Sequence, residues 1–174
     1  MTDYFPALWE RMKGIEKEFS NVKGDPGGRT VWGISERWNP DLFKDGIPSE
    51  EKCRERARKN YWNSVGCDKV PDIYLAWELF DCSYNLGPGK TKLLVEKAVK
   101  VLPQTLFSKV APTWPNVLKV IGFKESLCRA LAALVNHCQV QYYIDQNNPQ
   151  FLVGWLAKRG LTMDPETYGG KLDT

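Results

Sequence analysis

Three side chains near the start of the chain have the types and spacing for acid–base chemistry: Glu16, Asp25 and Thr30. A carboxylic acid can protonate a leaving oxygen, a second carboxylate can activate or position water, and a hydroxyl can help to hold that water. Two carboxylates flanking a cleft are the working parts of glycoside hydrolysis. Asp25 opens an Asp-Pro-Gly-Gly turn nine residues after Glu16, and Thr30 begins a Thr-Val-Trp stretch of strand character. An Asp before Pro-Gly also orders its own turn through backbone amides. The two tasks can coexist in one residue.

These groups need elements to position them. Residues 3–19 predict a helix, because Phe5, Leu8, Trp9, Met12, Ile15 and Phe19 recur at helical spacing. With Met12 as zero, the apolar residues span about −60° to +60° and Glu16 falls at about +40°. Glu18 falls at about −120° and Glu10 at about 160°, both outside the stripe. One carboxylate of three therefore faces the apolar side, where burial favours its neutral form and suits a general acid. A Glu at the edge of a stripe can equally reach solvent or pair with an Arg. Residues 20–34 break the helical period and read as a small hairpin excursion.

Further along, Ser49 predicts the N-cap of an exposed helix. Residues 72–85 are apolar almost all round and predict a buried central helix, capped by Asp72 and stopped at Gly87-Pro88-Gly89. Its Asp81 and Asn85 lie four apart on one face, near Trp77 and Tyr84. They can line a cleft or satisfy buried backbone. A basic amphipathic helix follows from Lys90 to Leu102, then a looser proline-punctuated connection. Helices are predicted over 123–145 and 149–159, and a polar tail from Gly160. The class is mainly α, with one small β excursion after the first helix.

Composition bounds the rest. The chain has 174 residues, 24 basic and 21 acidic, with 43% apolar residues, which fits a folded globule of one compact unit. No apolar run approaches the roughly 20 residues of a spanning helix, and the N-terminus does not read as a secretory leader. The five cysteines lack CxxC spacing and His137 is the single histidine, so no metal site is expected. The thiols point to a reducing compartment. From Pro88 to Lys124 there are seven Lys and one Glu, which is either a surface that attracts anionic walls or a solvated helix face. No nucleic-acid motif is present. Trp32, Trp38 and Trp62 can stack on sugar rings or fill the core.

The segment EKEFSNVKGDPGGRTVWGIS (Glu16–Ser35) resembles the signature of glycoside hydrolase family 108, the phage and bacterial N-acetylmuramidases of lysozyme-like fold. Glu16, Asn21, Asp25, Pro26, Gly27, Gly28, Thr30, Gly33 and Ile34 match that pattern in register. YWNSVGCDKVP (Tyr61–Pro71) and FDCSYNLGPGK (Phe80–Lys90) are similar to the family's internal motifs. YYIDQNNPQFLVGWLAKR (Tyr142–Arg159) resembles its C-terminal peptidoglycan-binding region. Lys17-Glu18-Phe19 replaces the family's Gly-Gly-Tyr, a departure that bears on substrate preference and activity level.

The resemblance implies a lysozyme-like fold and a phage endolysin. It would cleave the β-1,4 bond between N-acetylmuramic acid and N-acetylglucosamine in peptidoglycan. Glu16 would be the general acid, Asp25 the second carboxylate, and Thr30 a holder of the attacking water. Asn21, Trp32, Tyr84 and Asn85 are the candidate substrate contacts. No metal or organic cofactor is implied. Residues 1–102 would form the catalytic region, 103–160 a helical region packed on it with the peptidoglycan-binding module, and 161–174 a polar tail. The enzyme would be a monomer in the bacterial host cytoplasm, inserted in no membrane and binding no nucleic acid, until a holin-like membrane partner releases it to the glycan strands of the wall. A lytic transglycosylase and a non-catalytic wall-binding or structural phage protein are the competing readings.

Overall fold

The computed structural model describes residues 2–16, 18–21, 28–102, 113–121, 124–148, 152–153 and 156. The first helix, α1, runs Phe5–Ile15, with Pro6 in its first turn. Pro is suited there, because the amide it lacks would have no helical acceptor. Phe5, Leu8, Trp9 and Met12 form its buried face.

The helix expected over 3–19 stops four residues early. Glu16 takes an extended backbone (φ −89°, ψ 151°) while its N–H still donates to the Met12 carbonyl. Phe19–Ser20 then forms strand β1, which pairs with β2 (Thr30–Val31). Cross-strand pairing outcompetes a helical period that the apolar spacing alone would extend, and Phe19 is 44% exposed instead of joining the buried stripe. Strand β3 (Ile34–Ser35) completes a three-stranded antiparallel sheet in the order β1-β2-β3.

Helix α2 (Glu50–Ala57) starts at Ser49, whose hydroxyl accepts from the Lys52 amide. A π-helical turn (Arg58–Trp62) continues it. Lys13 of α1 forms an ion pair with Glu50 of α2, and the Trp9 indole N–H donates to the same carboxylate at 3.3 Å. Helix α3 (Ile73–Leu86) is the central element. The Asp72 carboxylate caps it by accepting from the Leu75 amide, and ten of its fourteen residues are buried. Helix α4 (Pro88–Val99) leaves immediately after Gly87. Helices α5 (Trp114–Ile121) and α6 (Glu125–Asp145) follow. Helices α3, α4 and α6 pack on one another, and α5 packs on α4.

The core is aromatic where α1 meets α3. Phe5, Trp62 and Phe80 meet edge to face at 5.4–5.8 Å, a geometry that aligns ring edges with ring faces. Two polar pairs link α3 and α6. Glu78 accepts from the Asn136 carboxamide at 3.1 Å and Asp81 from that of Gln139 at 3.2 Å, all four side chains being buried. Buried carboxylates are tolerated when such donors reach them. All five cysteines are buried thiols, and burial pushes Cys53 and Cys128 up to about 11 and Cys82 to about 12. The chain is therefore mainly α with a small three-stranded sheet after the first helix, consistent with a lysozyme-like fold. Most of the helix expected over 149–159, and all of the tail, lie outside the described residues.

Candidate active site

The site forms where the end of α1 meets the β2–β3 turn. Thr30-Val31 and Ile34-Ser35 are joined by two residues, Trp32-Gly33, and both have positive φ (43° and 84°). Positive φ at both central positions is the mark of a type I′ hairpin turn, whose twist suits adjoining strands. Gly adopts it freely, whereas Trp32 holds it under strain. The turn is pinned twice at Trp32: its amide donates to the Glu18 carbonyl at 3.1 Å, and its carbonyl accepts from the Tyr84 hydroxyl at 2.8 Å.

Glu16 lies against this turn. A Cβ placed on Gly33 would come within 2.9 Å of the Glu16 Cγ, 3.0 Å of its Cδ and 2.9 Å of the Tyr84 Cε1. The Glu16 side chain and the Tyr84 ring both crowd the side of Gly33 where a Cβ would stand, leaving no room for a methyl group. Glu16 is partly buried, and it occupies the C-cap of α1, not a position within a helical stripe. Glu18 is exposed.

The remaining candidates are placed as follows. Thr30 is partly buried, and its hydroxyl donates to the Gly28 carbonyl at 3.4 Å. The register pairs Ser20 with Thr30 and Thr30 with Ser35, so three hydroxyl residues form one row across the sheet. Ser20 and Ser35 were not singled out from sequence, because only the pairing register reveals the row. Arg29 grips Glu36 with two hydrogen bonds of 2.6 and 2.8 Å, fastening the open end of the hairpin. That contact holds the Glu36 carboxyl below the usual carboxylate range. Asn21 is exposed, and Asp25, with Pro26 and Gly27, lies outside the described residues.

Tyr84 is buried, and its hydroxyl donates to the Trp32 carbonyl of the turn. Asn85 is exposed, and its amide donates to the backbone carbonyl of Asp81 at 2.7 Å and to its carboxylate at 3.3 Å. It lines a recess of about 170 Å³ with Leu86, Tyr142, Tyr143 and Gln146. Asp81 itself is buried against α6. Trp62 and Trp77 are core residues, Trp32 is partly buried, and Trp38 is 73% exposed. Gly33 stands in the signature that the sequence matches, but the sequence reading gives it no place beside Glu16. Its signal was a two-residue Trp-Gly link between Thr-Val and Ile-Ser, the length of a tight hairpin loop.

Among the described residues, no group of three His, Cys, Asp or Glu side chains could hold a metal ion. No helix among them is long and apolar enough to cross a membrane.

Comparison with known proteins gives matches of two kinds. Residues 10–87 match the family model described as glycosyl hydrolase 108. In three dimensions the chain is similar to SagA of Brucella abortus, with a TM-score of 0.69, 18% sequence identity and 88% of each chain covered. At that identity the likeness is one of fold. No curated protein matches the sequence. Glu16, Thr30, Trp32, Gly33 and Tyr84 all fall within residues 10–87, so the segment that builds the site is the segment in which this chain is similar to glycosyl hydrolase 108.

Proposed function

We propose that the protein is a peptidoglycan hydrolase, an N-acetylmuramidase that cleaves the β-1,4 bond between N-acetylmuramic acid and N-acetylglucosamine. One observation carries the reading: Glu16 sits at the end of α1, packed against a clamped turn, inside the segment similar to glycosyl hydrolase 108.

Glu16 in its protonated form gives its proton to the glycosidic oxygen as the bond to the sugar carbon breaks. The oxygen then leaves as a neutral hydroxyl instead of an alkoxide. The developing positive charge on the sugar needs a second carboxylate, and Asp25 is the candidate for this role and for directing water. Thr30 helps to hold that water, within a row of hydroxyl residues that can also bind sugar hydroxyls. Asn21, Trp32 and Asn85 are the proposed glycan contacts, and residues 103–160 the helical region that adds hold on peptidoglycan. The enzyme acts as a phage endolysin, kept in the host cytoplasm until a holin-like partner opens the membrane.

Digestion of purified peptidoglycan by the full chain, followed by mass analysis of the fragments, tests the reading. New reducing ends on N-acetylmuramic acid are expected. Anhydro-sugar ends would make the protein a lytic transglycosylase, and binding without cleavage would make it a wall-binding protein.

A further inference from the structure

We propose that Tyr84 is a positioning residue for the general acid: by holding the Trp32 carbonyl, its hydroxyl seats the Trp32-Gly33 turn against Glu16 and fixes where that carboxyl points. The proposal rests on the reading of Glu16 as the acid.

The chain of contact is short and made of stiff parts. The Tyr84 ring is held by Phe80, edge to face at 5.5 Å, and by Tyr61 at 5.0 Å. Phe80 in turn packs on Trp62 and Phe5 in the main core. The ring therefore has little freedom to tilt. Its hydroxyl reaches the turn at the carbonyl of Trp32, a bulky residue kept at φ 43°. A non-glycine residue stays in that region only where its surroundings hold it there. At the next residue, Gly33, the Tyr84 ring and the Glu16 side chain both press on the place where a Cβ would stand. Moving the turn outward would release Glu16 from the contact at its Cγ and Cδ. General acid catalysis requires the proton donor within hydrogen-bond reach of the leaving oxygen, and small misplacements are costly in rate. The hydroxyl holds the turn at the Trp32 carbonyl, and through the turn it bears on Glu16.

Tyr84→Phe removes the hydroxyl and keeps the ring. Kinetics on soluble peptidoglycan strands should show kcat lower by about 10- to 100-fold, with KM within about twofold, because an orientation effect appears in the chemical step. The melting temperature should fall by a few degrees. Val135→Ala, a buried change on α6, serves as a stability control and should keep kcat per folded molecule. A raised KM with unchanged kcat would overturn the proposal and make Tyr84 a sugar contact. Loss of kcat in both variants in step with stability would overturn it as well, leaving Tyr84 a core residue. Wild-type and Glu16→Gln proteins are assayed alongside. If wild type cleaves and Glu16→Gln does not, the function stands and only the positioning role is judged. If Glu16→Gln is as active as wild type, the acid assignment and the positioning role fall together.

Discussion

Replacing Gly33 by Ala adds one methyl group at the most crowded point of the site. Two costs follow. A φ of 84° is unfavourable for an L residue by about 1–2 kcal/mol. If Glu16 and Tyr84 hold their places, the methyl contacts at 2.9–3.0 Å add overpacking of about 1–3 kcal/mol. At roughly 2–4 °C per kcal/mol for a chain of this size, the combined effect is a melting temperature lower by about 5–20 °C. The Glu16 side chain is flexible, whereas the Tyr84 ring is packed on three sides. If the acid swings aside, the contact of the methyl with the Tyr84 ring remains beside the backbone cost, and melting falls by less than the full amount. The carboxyl has then left its place, and turnover should drop by about 100-fold. Gly46→Ala is the control, since φ there is 109° with nothing within 4 Å of an added Cβ. It carries backbone strain without a clash and should keep wild-type turnover per folded molecule. Melting curves and peptidoglycan digestion on the same preparations decide the matter. Wild-type turnover in Gly33→Ala, with a melting loss no greater than that of Gly46→Ala, would refute the packing of the acid against the turn.

Three further outcomes follow from the surface and the thiols. If Lys90, Lys92, Lys97 and Lys100 on and just after α4 steer the protein to anionic walls, lysis should slow as salt rises, and replacing the four by Gln should flatten that response. Turnover of a short neutral glycan should barely change, and equal salt sensitivity for both substrates in both proteins would make this stripe a solvated helix face. The buried cysteines should resist thiol reagents at pH 8 and react fully only on unfolding, and fast labelling of several in the folded protein would contradict their burial. Because the folded thiols of Cys53, Cys82 and Cys128 are raised to about 11–12, the folded state keeps protons that the unfolded chain releases from about pH 8.5. Stability should therefore be unaffected by these groups below that pH and fall as pH climbs toward 11, as melting temperatures across pH 8–11 would show.

Several elements were legible in the chain because their signals are local. Asp72 ahead of an all-round apolar run marked the start of α3, and Gly87 marked its end. Ser49 marked α2. The end of α1 was not legible, because Phe19 continues the helical period and only the pairing of Phe19 with Val31 makes it a strand residue. The wheel nevertheless singled out Glu16, since residues 5–15 are helical and set its direction at the C-cap. The polar rungs of α3 and α6, Glu78 with Asn136 and Asp81 with Gln139, join residues 58 apart. Nothing in either helix alone announces the partner. Tyr84 is a candidate sugar contact in the sequence because it lies beside Asp81 and Asn85, which can line a cleft. The bond from its hydroxyl to a carbonyl 52 residues away is not legible in the sequence.

The central claim is that Glu16 is the proton donor, and Glu16→Gln tests it most directly. The amide keeps the size of the side chain but cannot act as the acid. Turnover of purified peptidoglycan should fall by at least about 100-fold, the lower range for a positioned acid. The melting temperature should stay near wild type, and Glu18→Gln, at an exposed position, should retain activity. Full turnover in Glu16→Gln with loss in Glu18→Gln would contradict the account.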